Sequence, residues 1–588
     1  MPLRRRDGGD DRRTFELVES AGMDVDPDLL DAPHPVLLGA LPRGTPPGLG
    51  AYDATVPAGD GPDGVGVEGT PPDPREPREP REPREPREPR GDRRRARWVA
   101  AAVVTGVVAV LVGGMLVVDT VTSRDAQERL EVARGAVRPL DAAPTERWTA
   151  PAATDRGVGF LPGLLVTVEG DEAVALDLDT GAEAWRAPLG GDEAVCGSSW
   201  SPWEPSGATS REVVCVAGSG VGPFWYEPGA RSQPEPGADV PPAHVTVLGA
   251  AGQVVGERDV AVGGAVLVPG PDGGLVRAER VGEPGEPSGP PVAVDPGAGE
   301  SVDGVAGRDV VVTVEDALTG DVRWRSELPF QDVPWSCTTW DPETGGEEID
   351  PDRLTLVATE SLVDVVGCGV AASFLPDGER LDDPDLPADG AVPLAGGRFL
   401  VDTDRQGTTG ALRPDRVLDA AGVPVLDAPG EVLDPQATDD PAPGVLLVRD
   451  GIDLRAYDEE GARLWTYDGA RVPEVVHVLA EGTAVVGTAS TVFGLDALSG
   501  EPTWSRFLDD LGGYEGWSAR VTQAFTDGRC AILVLVDPAT GTHPRMVALE
   551  LSSGSVVWEQ DLDGERASFV PVQGRLLRWD GETVALLG

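Results

Sequence analysis

Lysine and asparagine do not occur anywhere in the 588 residues, so all 48 basic side chains are arginine. Against them stand 100 acidic residues, giving a formal net charge of −52. Nucleic-acid binding needs cations that displace phosphate counterions, and this balance argues against it. Histidine is nearly absent as well: His34, His244, His477 and His543 are far apart, and none has a nucleophile motif beside it. Together with only five cysteines they cannot supply a finger- or ribbon-type zinc site. There is no haem-attaching Cys-x-x-Cys-His and no EF-hand spacing. The acidic stretch Asp341–Asp352 leaves loose calcium binding open, and no other cofactor is expected.

Long apolar runs are missing too, with one exception. Trp98–Val118 (WVAAAVVTGVVAVLVGGMLVV) holds 21 residues without a charge. About 20 apolar residues at ~1.5 Å each cross a bilayer core, so this stretch is expected to be a single transmembrane helix. Arg93, Arg94, Arg95 and Arg97 precede it and Asp119 follows it. By the positive-inside rule the N-terminus is cytoplasmic and the C-terminal bulk lies outside the membrane. Residues 1–97 carry 16 Arg and 20 acidic residues, so nearly all the negative charge falls after the span.

The 1–97 tail is rich in Pro, Gly and Asp and is expected to be disordered. Between Arg75 and Pro89 it repeats Arg-Glu-Pro five times. Proline at every third residue favours a polyproline II rod, either a spacer or a ligand for a proline-recognising domain. Residues 119–145, closed off by Pro139 and Pro144, read as a juxtamembrane linker. Ser123–Arg134 could be a polar helix stopped by Gly135.

What the sequence has in abundance is Gly (77) and Pro (56), which favour strands and turns over long helices. It also repeats. Five segments place a Gly four residues before a Trp: ALDLDTGAEAW ending at Trp185, VEDALTGDVRW at Trp324, AYDEEGARLW at Trp465, GLDALSGEPTW at Trp504 and ALELSSGSVVW at Trp558. The acidic residue opening each turn is Asp177, Asp316, Asp458, Asp496 or Glu550, and the glycines are Gly181, Gly320, Gly461, Gly500 and Gly554. A carboxylate at that place can accept backbone N–H bonds, and Gly can take the positive φ the turn requires. The following strand then delivers Trp at a fixed offset to pack on a neighbour. A hairpin of this size cannot bury its own face, so the copies must stack.

The Ala-x-Asp-x-x-Thr-Gly-x-x-x-Trp pattern, complete at Ala175–Trp185, resembles the repeat of the pyrroloquinoline-quinone-type (PQQ-like) β-propeller family. The chain is similar to a membrane-anchored bacterial member. The resemblance implies an all-β fold over residues 146–588, a propeller of four-stranded blades. His244–Val260, Gly369–Leu386 and Asp415–Asp427 are weaker copies without the Trp. With the closing unit they bring the candidates to nine, and eight blades are expected because propellers typically have four to eight. Gly574–Leu587 supplies strands but no final Trp strand, and Glu146–Thr149 could provide it, sealing the ring. Cys196 and Cys215 bracket one unit, and Cys337 and Cys368 another. Two disulfides tying adjacent strands are expected outside the cell, with four unpaired thiols the alternative. Cys530, in CAILVLV, is expected to be a buried free thiol.

Within this family the same blades build quinoprotein dehydrogenases and noncatalytic scaffolds. The dehydrogenases carry an adjacent Cys-Cys disulfide, a calcium site using Glu and Asn, and a catalytic Asp. This chain has no adjacent cysteines and no Asn. The expectation is therefore a noncatalytic, membrane-tethered extracytoplasmic binding scaffold for an envelope protein or cell-wall ligand. An extracytoplasmic ligand sensor is the alternative, and a quinoprotein-type oxidoreductase ranks third. Three Pro/Gly-rich insertions, Ala217–Ala243, Val281–Glu300 and Trp335–Asp352, interrupt the blades. The first holds Phe224, Trp225 and Tyr226, the candidate partner-binding loop; with Trp200, Trp203, Trp335 and Trp340 they could form one sector or cap exposed blade edges.

Overall fold

The computed structural model describes residues 126–588, apart from interior stretches of which the longest are 199–209, 219–239 and 402–414, together with the two-residue strands Arg4–Arg5 and Phe15–Glu16. The tail repeats and the stretch Trp98–Val118 lie outside the described residues. Among those described, no helix is long and apolar enough to cross a membrane.

Alternating hydrophobic sequence makes strands, and the strands assemble into antiparallel sheets in chain order. Sheet 1 contains Gly159–Leu161, Leu164–Glu169, Glu172–Asp177 and Glu183–Pro188. Sheet 2 runs from Val195–Cys196 to Val254–Val260, and sheet 3 from Val266–Gly270 to Val322–Leu328. Sheet 4 has three strands, from Leu354–Ala358 to Val370–Phe374, and a single bridge from Phe374 to Arg380 marks its fourth. Sheet 5 runs from Ala391–Leu394 to Pro424–Ala428, sheet 6 from Glu431–Leu433 to Arg463–Tyr467. Sheet 7 extends from Val475–Ala480 to Pro502–Phe507 and adds Ala437–Thr438 in parallel; sheet 8 runs from Arg520–Thr526 to Val556–Asp561. Sheet 9 joins Ser568–Val572, Arg575–Trp579 and Thr583–Leu587 to Glu146–Pro151. The interlocking of early and late chain expected from the sequence is present, with Thr149 opposite Ala585.

Each neighbouring pair of sheets shares one apolar core, and the ninth shares one with the first, so the sheets close into a ring. Leu165 and Leu176 of sheet 1 pack with Leu577 and Val584 of sheet 9, while Phe525 and Ile532 of sheet 8 meet Phe569 and Leu576. Fourth strands carry the exposed residues, as in Glu183–Pro188, and so form the rim.

The repeat's own chemistry sets this spacing. Asp177 Oδ1 accepts from the Asp179 and Thr180 amides at 3.1 and 2.9 Å and from the Thr180 hydroxyl at 2.8 Å. The same turn recurs at Asp316 and Asp496, while in the one-residue-shorter copy Asp458 Oδ1 accepts from the Glu460 and Ala462 amides at 3.1 and 2.7 Å. Amide and hydroxyl donors hold the Asp496 carboxyl below the usual carboxylate range, led by the Ser499 hydroxyl. In each strong copy Trp lies opposite the last residue before a β-bulge, as in Ala175↔Trp185 and Ala548↔Trp558. The indole then reaches out of its own sheet. Trp185 Nε1 donates to Ala250 O at 3.0 Å, Trp324 to Pro376 O at 2.9 Å, Trp465 to Ala497 O at 2.8 Å and Trp504 to Leu551 O at 2.6 Å, each in the next sheet's third turn. Trp148 of sheet 9 donates to Leu178 O of sheet 1 at 3.3 Å. The ring lies flat on that turn's glycine: a Cβ on Gly554 would come within 2.5 Å of Trp504, and φ there is +64°.

Among the described residues the ring has nine sheets, not eight. Sheets 2, 4 and 5 are the weak copies, and in sheets 2 and 4 other side chains take the tryptophan's place. In sheet 2 the position four after Gly252 is Gly256, against which Leu318 of sheet 3 packs. Two residues later Arg258 donates from Nε to Ala317 O at 2.6 Å, doing with a guanidinium what indole does elsewhere. Leu381 lies against Gly422 in the same sense.

Replacing Trp504 by Ala should cost about 3–5 kcal/mol in chemical unfolding, because a buried aromatic and its hydrogen bond go together. Gly554→Val should be similarly damaging from the other side of the same contact, while Val557→Ala, on an exposed rim position, should change little.

Candidate functional site: the two faces of the ring

In a four-stranded meander the first and third turns share one end of the sheet. The second turn and the link to the next sheet share the other. The ring therefore has two chemically distinct faces.

The first face carries the docking turns and also receives residues 126–141. Ala126–Leu130 is helical, the chain turns at Gly135 (φ +65°), and the described part of the expected linker is packed from there on. The Gly135 carbonyl accepts from Thr526 N at 3.1 Å and Val137 N donates to Thr526 O at 2.8 Å. Arg138 N donates to Gly574 O at 2.6 Å, and Leu140 N to Asp527 Oδ2 at 3.2 Å. Leu140 O in turn accepts the Trp558 indole at 3.0 Å, filling the place that a third turn supplies in other sheets. The Arg134 side chain is 2 % exposed; it pairs with Asp434, and Nη2 donates to Pro393 O at 2.7 Å. Burial pushes the Asp434 carboxyl above the usual range, with Arg134 and the Ala395 amide working against that shift. These contacts reach sheets 5, 6, 8 and 9, and Arg138 extends them to Asp179 of sheet 1.

The opposite face carries four of the five longest connections: 218–242, 282–308, 329–353 and 402–414 join strands at that end, while 197–211 leaves from the docking face. Arg280 clasps the roots of two of them. Its guanidinium donates to Arg308 O at 2.7 Å, Arg353 O at 2.8 Å and Cys368 O at 2.7 Å, and burial lowers its pKa to about 10. Both expected disulfides are present. Cys196 and Cys215 are direct partners on adjacent strands of sheet 2. Cys337–Cys368 differs from the expectation of adjacent strands, since it fastens the connection 329–353 to the second turn of sheet 4.

Phe224, Trp225 and Tyr226 lie outside the described residues, as do Trp200, Trp203 and Trp335. The connection holding Trp200 and Trp203 leaves sheet 2 on the docking face, whereas Ala217 and Ala243 root the Phe224 loop on the other. The histidines are equally dispersed. His244 Nδ1 faces Asp259 at 2.8 Å across sheet 2, His543 Nδ1 contacts the Thr542 hydroxyl at 2.8 Å in sheet 8, and His477 is buried in sheet 7. Asp177, Asp316, Asp496, Gly181, Gly320, Gly461, Gly500 and the five repeat tryptophans are engaged in turns and sheet-to-sheet contacts. Among the described residues no three of His, Cys, Asp or Glu are placed to hold a metal ion. The disulfides join residues 19 and 31 positions apart, so neither links adjacent cysteines.

No family model matches the chain. The dehydrogenase XoxF of Paracoccus denitrificans is 32% identical over 115 residues, which is 17% of this chain and 18% of that protein's length. Among solved structures, BamB from Moraxella catarrhalis is 11% identical with a TM-score of 0.32, covering 76% of this chain and 99% of that one. A quinohemoprotein alcohol dehydrogenase from Comamonas testosteroni is 14% identical with a TM-score of 0.29, covering 76% of each chain. The set spans dehydrogenases and BamB, and the ring itself rests on the strand pairing and shared cores described above.

Burial lowers the His477 pKa to about 4, below its unfolded value near 6.5. The unfolded chain takes up that proton first as pH falls. The stability from His477 is thus complete above pH 6.5 and drains away toward pH 4, by about 3 kcal/mol in all. Urea titrations across that interval should show a flatter pH slope for His477→Leu than for the native chain. Cys530 is 4 % exposed, and burial raises its thiol to about 11, so it should react with a thiol reagent only after unfolding.

Proposed function

We propose that the chain is a noncatalytic binding scaffold, tethered by Trp98–Val118 and displaying its ring outside the cell to an envelope protein or cell-wall ligand. The observation that carries this reading is the division of labour in the ring. The repeated Asp, Gly and Trp are consumed in holding sheets together, while extra chain length is concentrated on one face, where rigid roots support it. Connections on a rigid frame are where binding proteins place recognition. The disulfides agree with an oxidising exterior.

Ligand sensing is the second reading, favoured by an open cleft of about 440 Å³ between sheets 6 and 7. Tyr467, Phe493 and Trp504 wall it and Arg471 reaches it, a combination suited to a flat, anionic small molecule.

Cross-linked affinity capture from native membranes separates these readings. The full chain and a version lacking residues 1–97 should retain the same external protein or polymer. Loss of the binding partner with the tail would move recognition to the cytoplasmic side. Absence of any partner from both would favour the small-molecule reading.

A further inference from the structure

We infer that residues 126–141 are a fixed strut that turns the docking face of the ring toward the membrane and the face with the long connections away from it. This orientation rests on the tether proposed above. Its basis is the geometry of attachment. Residues 119–125 and one helical turn, 126–129, separate the end of the apolar run from Leu130, the first buried residue; seven extended residues reach at most ~25 Å and the turn adds ~6 Å. The chain after them does not hang free. It is hydrogen-bonded to sheets 8 and 9, paired through Arg134 to Asp434 of sheet 6, and joined to sheet 5 at Pro393. Gly135 leaves no slack, since a Cβ there would lie 2.5 Å from both Ala437 Cβ and Gln436 O. A segment anchored at so many separated points cannot swivel without giving up a buried ion pair and its backbone bonds together. Every contact it makes to the ring is on one face, so that face must look back along the chain to the membrane. Four of the five longest connections leave from the other.

Energy transfer to labelled lipid headgroups tests this in the full-length protein reconstituted in nanodiscs, with Cys530→Ala removing the native thiol. Leu498, 73 % exposed, is on a third turn of the docking face; Ile452, 80 % exposed, is on a second turn of the far face. The faces are a strand length apart, about 17–20 Å, so a dye on Leu498→Cys should transfer about twofold more efficiently than one on Ile452→Cys. Equal or reversed transfer from protein that resists carbonate extraction would overturn the orientation while leaving the tether standing. Release by carbonate would remove the tether and the orientation with it. Arg134→Met combined with Asp434→Leu removes both charges of the pair, and the buried Arg398 beside it keeps Glu459 nearby. It should keep the ring's thermal unfolding cooperative and bring the two transfer efficiencies together. An undiminished difference would show that the Arg134–Asp434 pair does not hold the strut.

Discussion

An indole ring laid on the glycine turn of the next sheet is the contact on which the ring depends. It couples three demands that would otherwise be independent. Glycine must take a positive φ, the residue after the turn's opening acid must leave its carbonyl free, and tryptophan must emerge at a fixed register opposite a bulge. Trp504, Leu551 O and Gly554 meet these demands together, as do Trp148, Leu178 O and Gly181. Because the hydrogen bond runs from side chain to backbone, the acceptor residue's identity is free to vary, and it is Ala, Leu or Pro in different sheets. That tolerance lets the sequence drift between copies while the spacing of the sheets stays fixed.

The same contact explains which parts of the fold could be read in the sequence. The five strong copies, the joining of Glu146–Pro151 to Thr583–Leu587 and the cysteine pairs were legible because each leaves a local signature: a fixed offset, a missing strand, a bracketed unit. The expected count is one short because three copies, those of sheets 2, 4 and 5, have lost the tryptophan, and nothing local shows that all three are complete units. Arg258 could not have been recognised, since it stands two residues beyond the repeat position and works only because Leu318 fills the space over Gly256. Arg134 was equally silent. Nothing near it in sequence announces Asp434, 300 positions away, and a polar stretch ending in Gly and Pro reads as linker whether or not it docks.

For the candidate site the sequence was less informative, and for a physical reason. Recognition by loops relies on composition, and composition does not say on which end of a strand a loop emerges. The topology does. It roots the connections 197–211 and 218–242 at opposite ends of sheet 2 and gathers the roots of 282–308 and 329–353 around one buried guanidinium, Arg280. A cation that satisfies three backbone carbonyls and no carboxylate is an uncommon choice for a chain so rich in acid. Its place at the loop roots makes their spacing a property of the frame.

The joining of Thr145 to Gly588, 443 positions apart, also fixes the order in which the molecule can be finished during synthesis. Glu146–Pro151 is among the first strands made and has no sheet to enter until Thr583–Leu587 follows. Blades 1 to 8 can form hairpin by hairpin as the chain emerges, but all that time the circle stays open, with Trp148 unable to take up its final setting. Completion is therefore a single late event, and a ribosome that stops a few codons short of that strand releases a chain with nearly every blade and no closed ring.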